Sequence, residues 1–309
     1  MENRNLLQYL WLVLKGIAMG AADVVPGVSG GTIAFISGIY EELISSINQV
    51  VPALTGTLPK KGPLAFWRAV NGNFLVSVLS GIAISVVSLS RLISWLLTEH
   101  PVLLWSFFFG LVLASILYVA REIQSRSAAV LLMGVLGAVL AYGVISLPVA
   151  EQSAGLPYLF LSGALAICAM ILPGISGAFI LVLLGSYKTV LDSVHERNIQ
   201  VLLVTGLGAV FGLLSFARLL KWMFARYRDA TLALLTGFIL GSLPKIWPWK
   251  EVLETRMFGD KAVPVSEANV APWNYSGNPQ LVWAILLAIL GFSLIFALEG
   301  LASRKNRHH

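Results

Sequence analysis

The chain has 309 residues, 57% of them hydrophobic and only 12% charged, and its mean hydropathy is +0.83. Soluble domains carry about 25% charged residues, so this composition excludes a soluble globular domain and points to a polytopic α-helical membrane protein. The formal net charge of +6 reads as a membrane-orientation signal and gives no reason to expect a nucleic-acid partner.

The N-terminal stretch "MENRNLLQYLWLVLKG" has no small-residue cleavage site and is not read as a signal peptide. It runs into "DVVPGVSGG" (Asp23–Gly31), and a second short apolar segment, Thr32–Val50, leaves that motif. After the insert "PALTGTLPKKGPLAFWRAVNGN" come the apolar runs Phe74–Leu89, Val102–Ala120 and Val130–Val149. Each is near the ~20 residues that a spanning helix needs. Past "LPVAEQSAGLP" the order restarts with "ILPGISGA" (Ile171–Ala178), an exit segment Phe179–Val194, and the runs Val201–Phe216 and Leu281–Leu298. The Trp-rich, mixed-charge stretch from "WPWKEV" to "SGNPQ" reads as a loop on the outside, lying along the interface, with a lipid entrance as the alternative role. Cys168 reads as a packed, inert thiol, and His100 and His195 are too scattered for a metal set. His308 and His309 read as a tag remnant on a cytoplasmic tail, 304–309.

The chain repeats itself. At an offset of 147, Pro26, Gly27, Ser29, Gly30, Gly38 and Tyr40 fall on Pro173, Gly174, Ser176, Gly177, Gly185 and Tyr187. At an offset of 127, Gly81, Arg91, Trp95 and Gly110 fall on Gly208, Arg218, Trp222 and Gly237. The expected fold class is therefore all-α, with two structural repeats, each a re-entrant (broken) helix hairpin plus three transmembrane helices. The first repeat is 1–150, with a hairpin at about 6–48 and spans at about 73–97, 101–120 and 128–149. The second is 151–303, with a hairpin at about 156–194 and spans at about 200–222, 229–247 and 280–300. Ten helical segments are expected. An odd number of crossings per repeat makes the second repeat inverted. With a cytoplasmic N-terminus, Arg4, Lys60, Lys61, Arg68, Arg121, Arg126, Lys221, Arg226, Arg228, Arg304, Lys305 and Arg307 lie inside. Only Arg197, Lys250, Arg256 and Lys261 lie outside, which satisfies the positive-inside rule.

Paired broken helices in inverted repeats are a transporter signature, with the substrate site near the midplane. Irregular backbone survives in lipid only inside protein or beside a watery cavity. Proline stops a helix, glycine permits the sharp turn, and the next helix begins with free N–H groups that suit an anion such as phosphate. On this reading Pro26, Gly27, Ser29, Gly30, Gly31 and Thr32, with Pro173, Gly174, Ser176 and Gly177, form two anion cradles. Simple close helix packing by the glycines is the alternative. The G-K-[ST] ending of a nucleotide loop is missing. Arg91 and Arg218, in matching places, either grip the phosphate or snorkel to headgroups. Asp23 has Met170 as its counterpart, so it carries a proton, binds a coupling cation, pairs with an arginine or caps the turn. Tyr40, Glu41 and Glu42 are cavity residues or a solvated helix end, and Lys15 is a weaker candidate near an interface.

"GAADVVPGVSGGTIAFISGIYEELI" and "ILPGISGAFILVLLGSY" strongly resemble the bacterial polyprenyl-phosphate (undecaprenyl-phosphate) translocases over nearly the whole chain. The resemblance implies a non-enzymatic flippase of the bacterial inner membrane that returns undecaprenyl phosphate to the cytoplasmic leaflet for cell-wall synthesis. It needs no cofactor beyond a coupling H+ or Na+. It implies roles for Asp23, Pro26, Gly27, Ser29, Gly30, Gly31, Thr32, Tyr40 and Glu41, and for Pro173, Gly174, Ser176 and Gly177. The second copy departs from the first: Ala178 and Phe179 replace Gly31 and Thr32, and Lys188 replaces Glu41. The competing class is a polyprenyl-pyrophosphate phosphatase, but neither loop holds the arginine of that enzyme's PGxSRSG-like loop, and no E-x-x-x-E pair stands beside them. A transporter of another phosphate-bearing anion is a further alternative, and a non-transporting scaffold would leave the duplicated polar motif unexplained.

Overall fold

A computed structural model of the chain describes residues 4–25, 28–150, 155–258 and 261–306. Pro26, Gly27, the 151–154 boundary stretch, His308 and His309 lie outside the described residues. Helix α1 (Leu6–Val24) starts on a reciprocal cap: Gln8 N donates to Asn5 Oδ1 at 2.9 Å, and Asn5 N donates to Gln8 Oε1 at 2.8 Å, which satisfies two amides at once. Beyond the first motif the chain forms α2 (Gly30–Ile36) and α3 (Tyr40–Pro52). The insert continues as a π turn, Ala53–Thr57, and α4 (Leu58–Ala69), kinked at Gly62. Three long helices complete this half: α5 (Gly72–Glu99), α6 (Pro101–Glu122) and α7 (Ala128–Ser146). The second half runs α8 (Leu156–Ile171), α9 (Gly177–Leu183), α10 (Tyr187–His195), α11 (Ile199–Arg226), α12 (Arg228–Ser242) and α13 (Leu281–Asn306).

Five helices, α5, α6, α7, α11 and α12 with its 3-10 extension to Ile246, are long and apolar enough to cross a membrane, and α9 and α10 form a pair bent by 111°. On α7, Leu131, Leu132, Val135 and Val139 are each more than 60% exposed, a contiguous apolar surface that lipid would cover. The described residues hold thirteen α-helices where ten segments were expected, because each exit segment is split and the insert is itself helical.

Both splits are built alike. Gly38 (φ 72°) and Gly185 (φ 65°) adopt the left-handed conformation that ends a helix. Ile39 N donates to Ala34 O at 3.0 Å, and Ser186 N donates to Leu181 O at 2.9 Å. Each break leaves a polar carbonyl to satisfy inside the protein. Lys15 Nζ donates to Ser37 O at 2.6 Å. In the second half Leu184 holds the Ser37 place, and Tyr158 OH donates to its carbonyl at 2.7 Å.

Helix pairing repeats as well. α1 packs along α5 and α8 along α11, while α6 packs along α13 and α7 along α12. A Cβ at Gly16 would strike the Val78 carbonyl, and one at Gly163 the Thr205 carbonyl; at Gly81 and Gly208 it would strike Val13 and Phe160. These are the same contacts at offsets of 147 and 127. Gly137 against Leu234 and Gly291 against Phe107 form another matched pair. They carry α7 onto α13 at a larger offset because a long segment is inserted between α12 and α13. Small residues at such crossings let backbones approach, the main route to tight packing between helices in lipid.

The inserted segment, expected as a loop, contains an antiparallel ribbon of β1 (Lys250–Phe258) and β2 (Lys261–Asn269), bulged between Val252 and Thr255. Both strands are edges, so Pro264 is tolerated opposite Thr255. Trp247 and Trp249 tie the segment down, their indole N–H groups donating to Val270 O and Pro279 O, each at 2.9 Å.

Candidate functional site

The structure brings the two P-G-x-S-G motifs together. Ser29 caps α2: its Oγ accepts from Gly31 N at 3.1 Å and donates across to Met170 O, at the end of α8, at 2.9 Å. Thr32 Oγ1 accepts from Gly174 N of the second motif at 2.9 Å. Both hydroxyl residues are fully buried. Gly31 is required by this crossing, since a Cβ there would meet the carbonyls of Met170 and Ile171. Asp23 Oδ1 accepts from Gly30 N at 2.7 Å, its one hydrogen bond among the described residues. Of the roles open to Asp23, the geometry is that of a cap. The start of α2 therefore already holds a carboxyl group of its own on Gly30 N, and a phosphate could take that place only by displacing it.

The second motif is built differently. Gly174 (φ 97°) occupies the left-handed region, and Ser242 Oγ stands where its Cβ would be. Pro173 and Ser176 are buried; Ser176 precedes α9 without a capping side-chain bond, and Gly177 packs against the Ala166 carbonyl. Phe179, in the Thr32 place, has no hydrogen-bonding side chain with which to repeat the Thr32 crossing and instead faces Lys245, whose Nζ lies 5.0 Å from its ring centroid.

The remaining candidates fall elsewhere. Arg91 and Arg218 are exposed on α5 and α11, and among the described residues neither has a hydrogen bond or ion pair with a motif residue. This placement favours the snorkelling reading. Tyr40 is buried edge-on against Phe35 and Phe224, with centroids 5.1 and 6.1 Å away, and among the described residues its hydroxyl has no hydrogen-bond partner. Glu41 pairs with Arg228 at 3.3 Å, both about half exposed. Glu42 accepts both guanidinium N–H groups of Arg4 at 2.7 Å and the Asn71 amide at 2.7 Å. Lys15 serves the α2–α3 break described above. Sequence reasoning passed over Lys245, Lys250 and Glu267, which converge beside α9; the run "WPWK", pairing tryptophans with a lysine, was the available signal. Among the described residues no group of three or more His, Cys, Asp or Glu could hold a metal.

A family model described as undecaprenyl phosphate translocase-like matches residues 19–263. A polyprenyl-phosphate transporter of Vibrio cholerae serotype O1 is 46% identical over 303 residues, covering 96% of this chain and 98% of that protein. A polyprenyl-phosphate transporter of Staphylococcus aureus is 30% identical over 261 residues, covering 78% of this chain and 87% of that protein. No solved structure matches the chain.

Proposed function

The chain belongs to the undecaprenyl phosphate translocase-like family, and from that premise we propose that it carries undecaprenyl phosphate from the outer to the cytoplasmic leaflet of the bacterial inner membrane, returning the carrier lipid to cell-envelope synthesis. The observation that carries this reading is the junction of the two motifs: Thr32 Oγ1 to Gly174 N and Ser29 Oγ to Met170 O, inside a bundle of apolar helices. Broken backbone that meets at the interior of such a bundle is where transporters place a polar substrate. The relatives are named transporters, which supports transport over the phosphatase alternative.

On this reading residues 1–150 and 151–303 are inverted repeats, and each motif tips a re-entrant hairpin. The hydroxyls of Ser29 and Thr32 and the amides of Gly30, Gly31 and Gly174 are already bonded within the protein, so the headgroup reaches them as the junction opens. Asp23 links that opening to an ion. Protonation, or a sodium ion on the carboxylate, weakens its hold on Gly30 N and frees an amide for the phosphate. A cytoplasmic N- and C-terminus is supported by the cation distribution. It is also supported by the contacts of Arg4 with Glu42, Glu41 with Arg228, and Asp229 with Ser125 N, which join segments assigned to one side.

The test is reconstitution in vesicles with a leaflet-specific probe of polyprenyl phosphate, with and without proton and sodium gradients. Leaflet exchange without phosphate release is expected. Release of phosphate from the pyrophosphate lipid would move the protein to the phosphatase class, and the absence of both exchange and release would overturn the reading.

A further inference from the structure

A second polar cluster lies apart from the motif junction, on the face that carries the β-ribbon. The Lys250 side chain is 7% exposed; its Nζ sits 3.9 Å from the Trp105 ring centroid, donates to Lys245 O at 2.6 Å and lies 3.7 Å from Glu267 Oε2. Lys245 Nζ donates to that same carboxylate oxygen at 3.1 Å. Both lysines line a cavity of about 480 Å³ bounded by the C-terminal end of α7, the ribbon, and Phe179 and Leu183 of α9. Phe179 and Leu183 are one turn apart, so the cavity runs along one face of the helix that begins at Ser176 and Gly177. Glu254 stands exposed at the rim.

Two partly or wholly desolvated ammonium groups share one oxygen of one carboxylate. Burial of a charge is costly unless it is matched, and two lysines bring six N–H donors to the two hydrogen bonds named here, beside the 3.7 Å ion pair of Lys250 with Glu267. A strut that only pinned the ribbon would need one lysine and no cavity. A phosphate monoester carries about −1.5 to −2 charge and three acceptor oxygens, enough to engage both ammoniums at once. The volume falls within the range of about 300–1,000 Å³ typical of ligand sites. The departure of the second repeat also fits: Phe179 stands in the Thr32 place, where it walls this cavity under Lys245 and has no hydroxyl to repeat the Thr32 bond.

We propose that Lys245 and Lys250 form a docking site for a phosphate monoester, the headgroup of a polyprenyl phosphate in the leaflet this face adjoins, with Glu267 as the internal counter-ion it displaces. The proposal rests on the transport reading for its choice of lipid. The site receives the headgroup one helix turn from the second motif.

The full chain in phosphatidylcholine nanodiscs, titrated with polyprenyl phosphate, tests it, with Trp105 beside Lys250 providing a fluorescence signal. Polyprenyl alcohol is the uncharged control and inorganic phosphate the soluble competitor. Lys245→Gln and Lys250→Gln should each weaken binding by about tenfold or more, Lys250→Arg should retain most of it, and Glu267→Gln should tighten it several-fold. The opposite signs separate a docking site from a strut, for which Glu267→Gln would not tighten binding. Unchanged affinity in both glutamine variants overturns the proposal, as does equal binding of the alcohol. A response to inorganic phosphate with none to the lipid overturns the lipid assignment. The two readings fail separately. If wild type exchanges lipid between leaflets and both glutamine variants do so at the same half-saturating lipid concentration, the docking site fails and transport stands. If wild type exchanges no lipid yet binds it with this variant pattern, transport fails and the docking site stands.

Discussion

A carboxylate that accepts an amide at the start of α2 is a compact way to make a site depend on an ion. A hydrogen bond to a charged group is worth about 1.5–3 kcal/mol, and neutralising Asp23 removes most of that hold on Gly30 N. Asp23→Asn is therefore expected to leave the protein folded while removing most of the dependence of transport on the proton or sodium gradient. A wild-type rate with the same pH and sodium response would reduce Asp23 to a cap, and Glu41 would be tested next. Tyr40 poses the converse case, a buried hydroxyl without a partner among the described residues, which costs about 1–3 kcal/mol. Tyr40→Phe should hold or raise the melting temperature. A fall in transport in that variant would show that the hydroxyl finds its partner only when the junction opens, whereas wild-type transport would make Tyr40 a packing residue. At the outlying cluster, burial pushes the Lys250 ammonium down to about 8 from 10.5, opposed by Glu267 and reinforced by Lys245. Burial alone would raise Glu267, but Lys250 and Lys245 outweigh it and hold the carboxyl below its usual range. Anion docking needs the ammonium, so lipid affinity should fall as pH rises through about 8 and should lose that response in Lys250→Gln.

At the scale of elements, the short helices α2 and α9 exist because each is stopped at both ends. A motif precedes each one, and Gly38 or Gly185 ends it with a left-handed turn. What holds α2 against the second motif is narrow: one hydroxyl to Met170 O, one amide to Thr32, and the missing side chain of Gly31. Gly31→Ala drives a methyl into two carbonyls and should cost about 1–3 kcal/mol. Thr32→Val keeps the shape but leaves Gly174 N unpaired, again at about 1–3 kcal/mol. Thermal unfolding in detergent reads both. If both variants melt with wild type, the junction does not hold the two motifs together.

Over the whole molecule, the exchange of partners, α6 with α13 and α7 with α12, interlocks the two halves. The orientation can be read chemically. With Cys168 replaced by serine, Asn274→Cys should react with a membrane-impermeant maleimide in intact cells, and Ser125→Cys only after permeabilisation. Labelling of both from the same side would overturn the inverted arrangement, because Ser125 follows α6 and Asn274 follows α12, the corresponding helix of the other half.

The sequence by itself determined the class of the molecule and its internal order. Apolar runs of spanning length can only be membrane helices, and a duplicated P-G-x-S-G with matching glycines names the paired breaks and the family. Both signals are local, carried by composition and spacing along the chain. Only the tertiary structure decided which side chains meet. That Thr32 crosses to Gly174, that Lys15 and Tyr158 serve equivalent carbonyls with unlike groups, and that Asp23 caps the helix start all depend on contacts between distant segments. Matching positions left Arg91 and Arg218 to grip phosphate or to snorkel, and only the tertiary structure placed both on exposed helix faces. Lys245, expected at the end of a span, and Lys250, expected in a loop, form a cluster because β2 returns Glu267 to both of them, and pairing between two edge strands leaves almost no periodic trace beside the far stronger hydropathy of the helices.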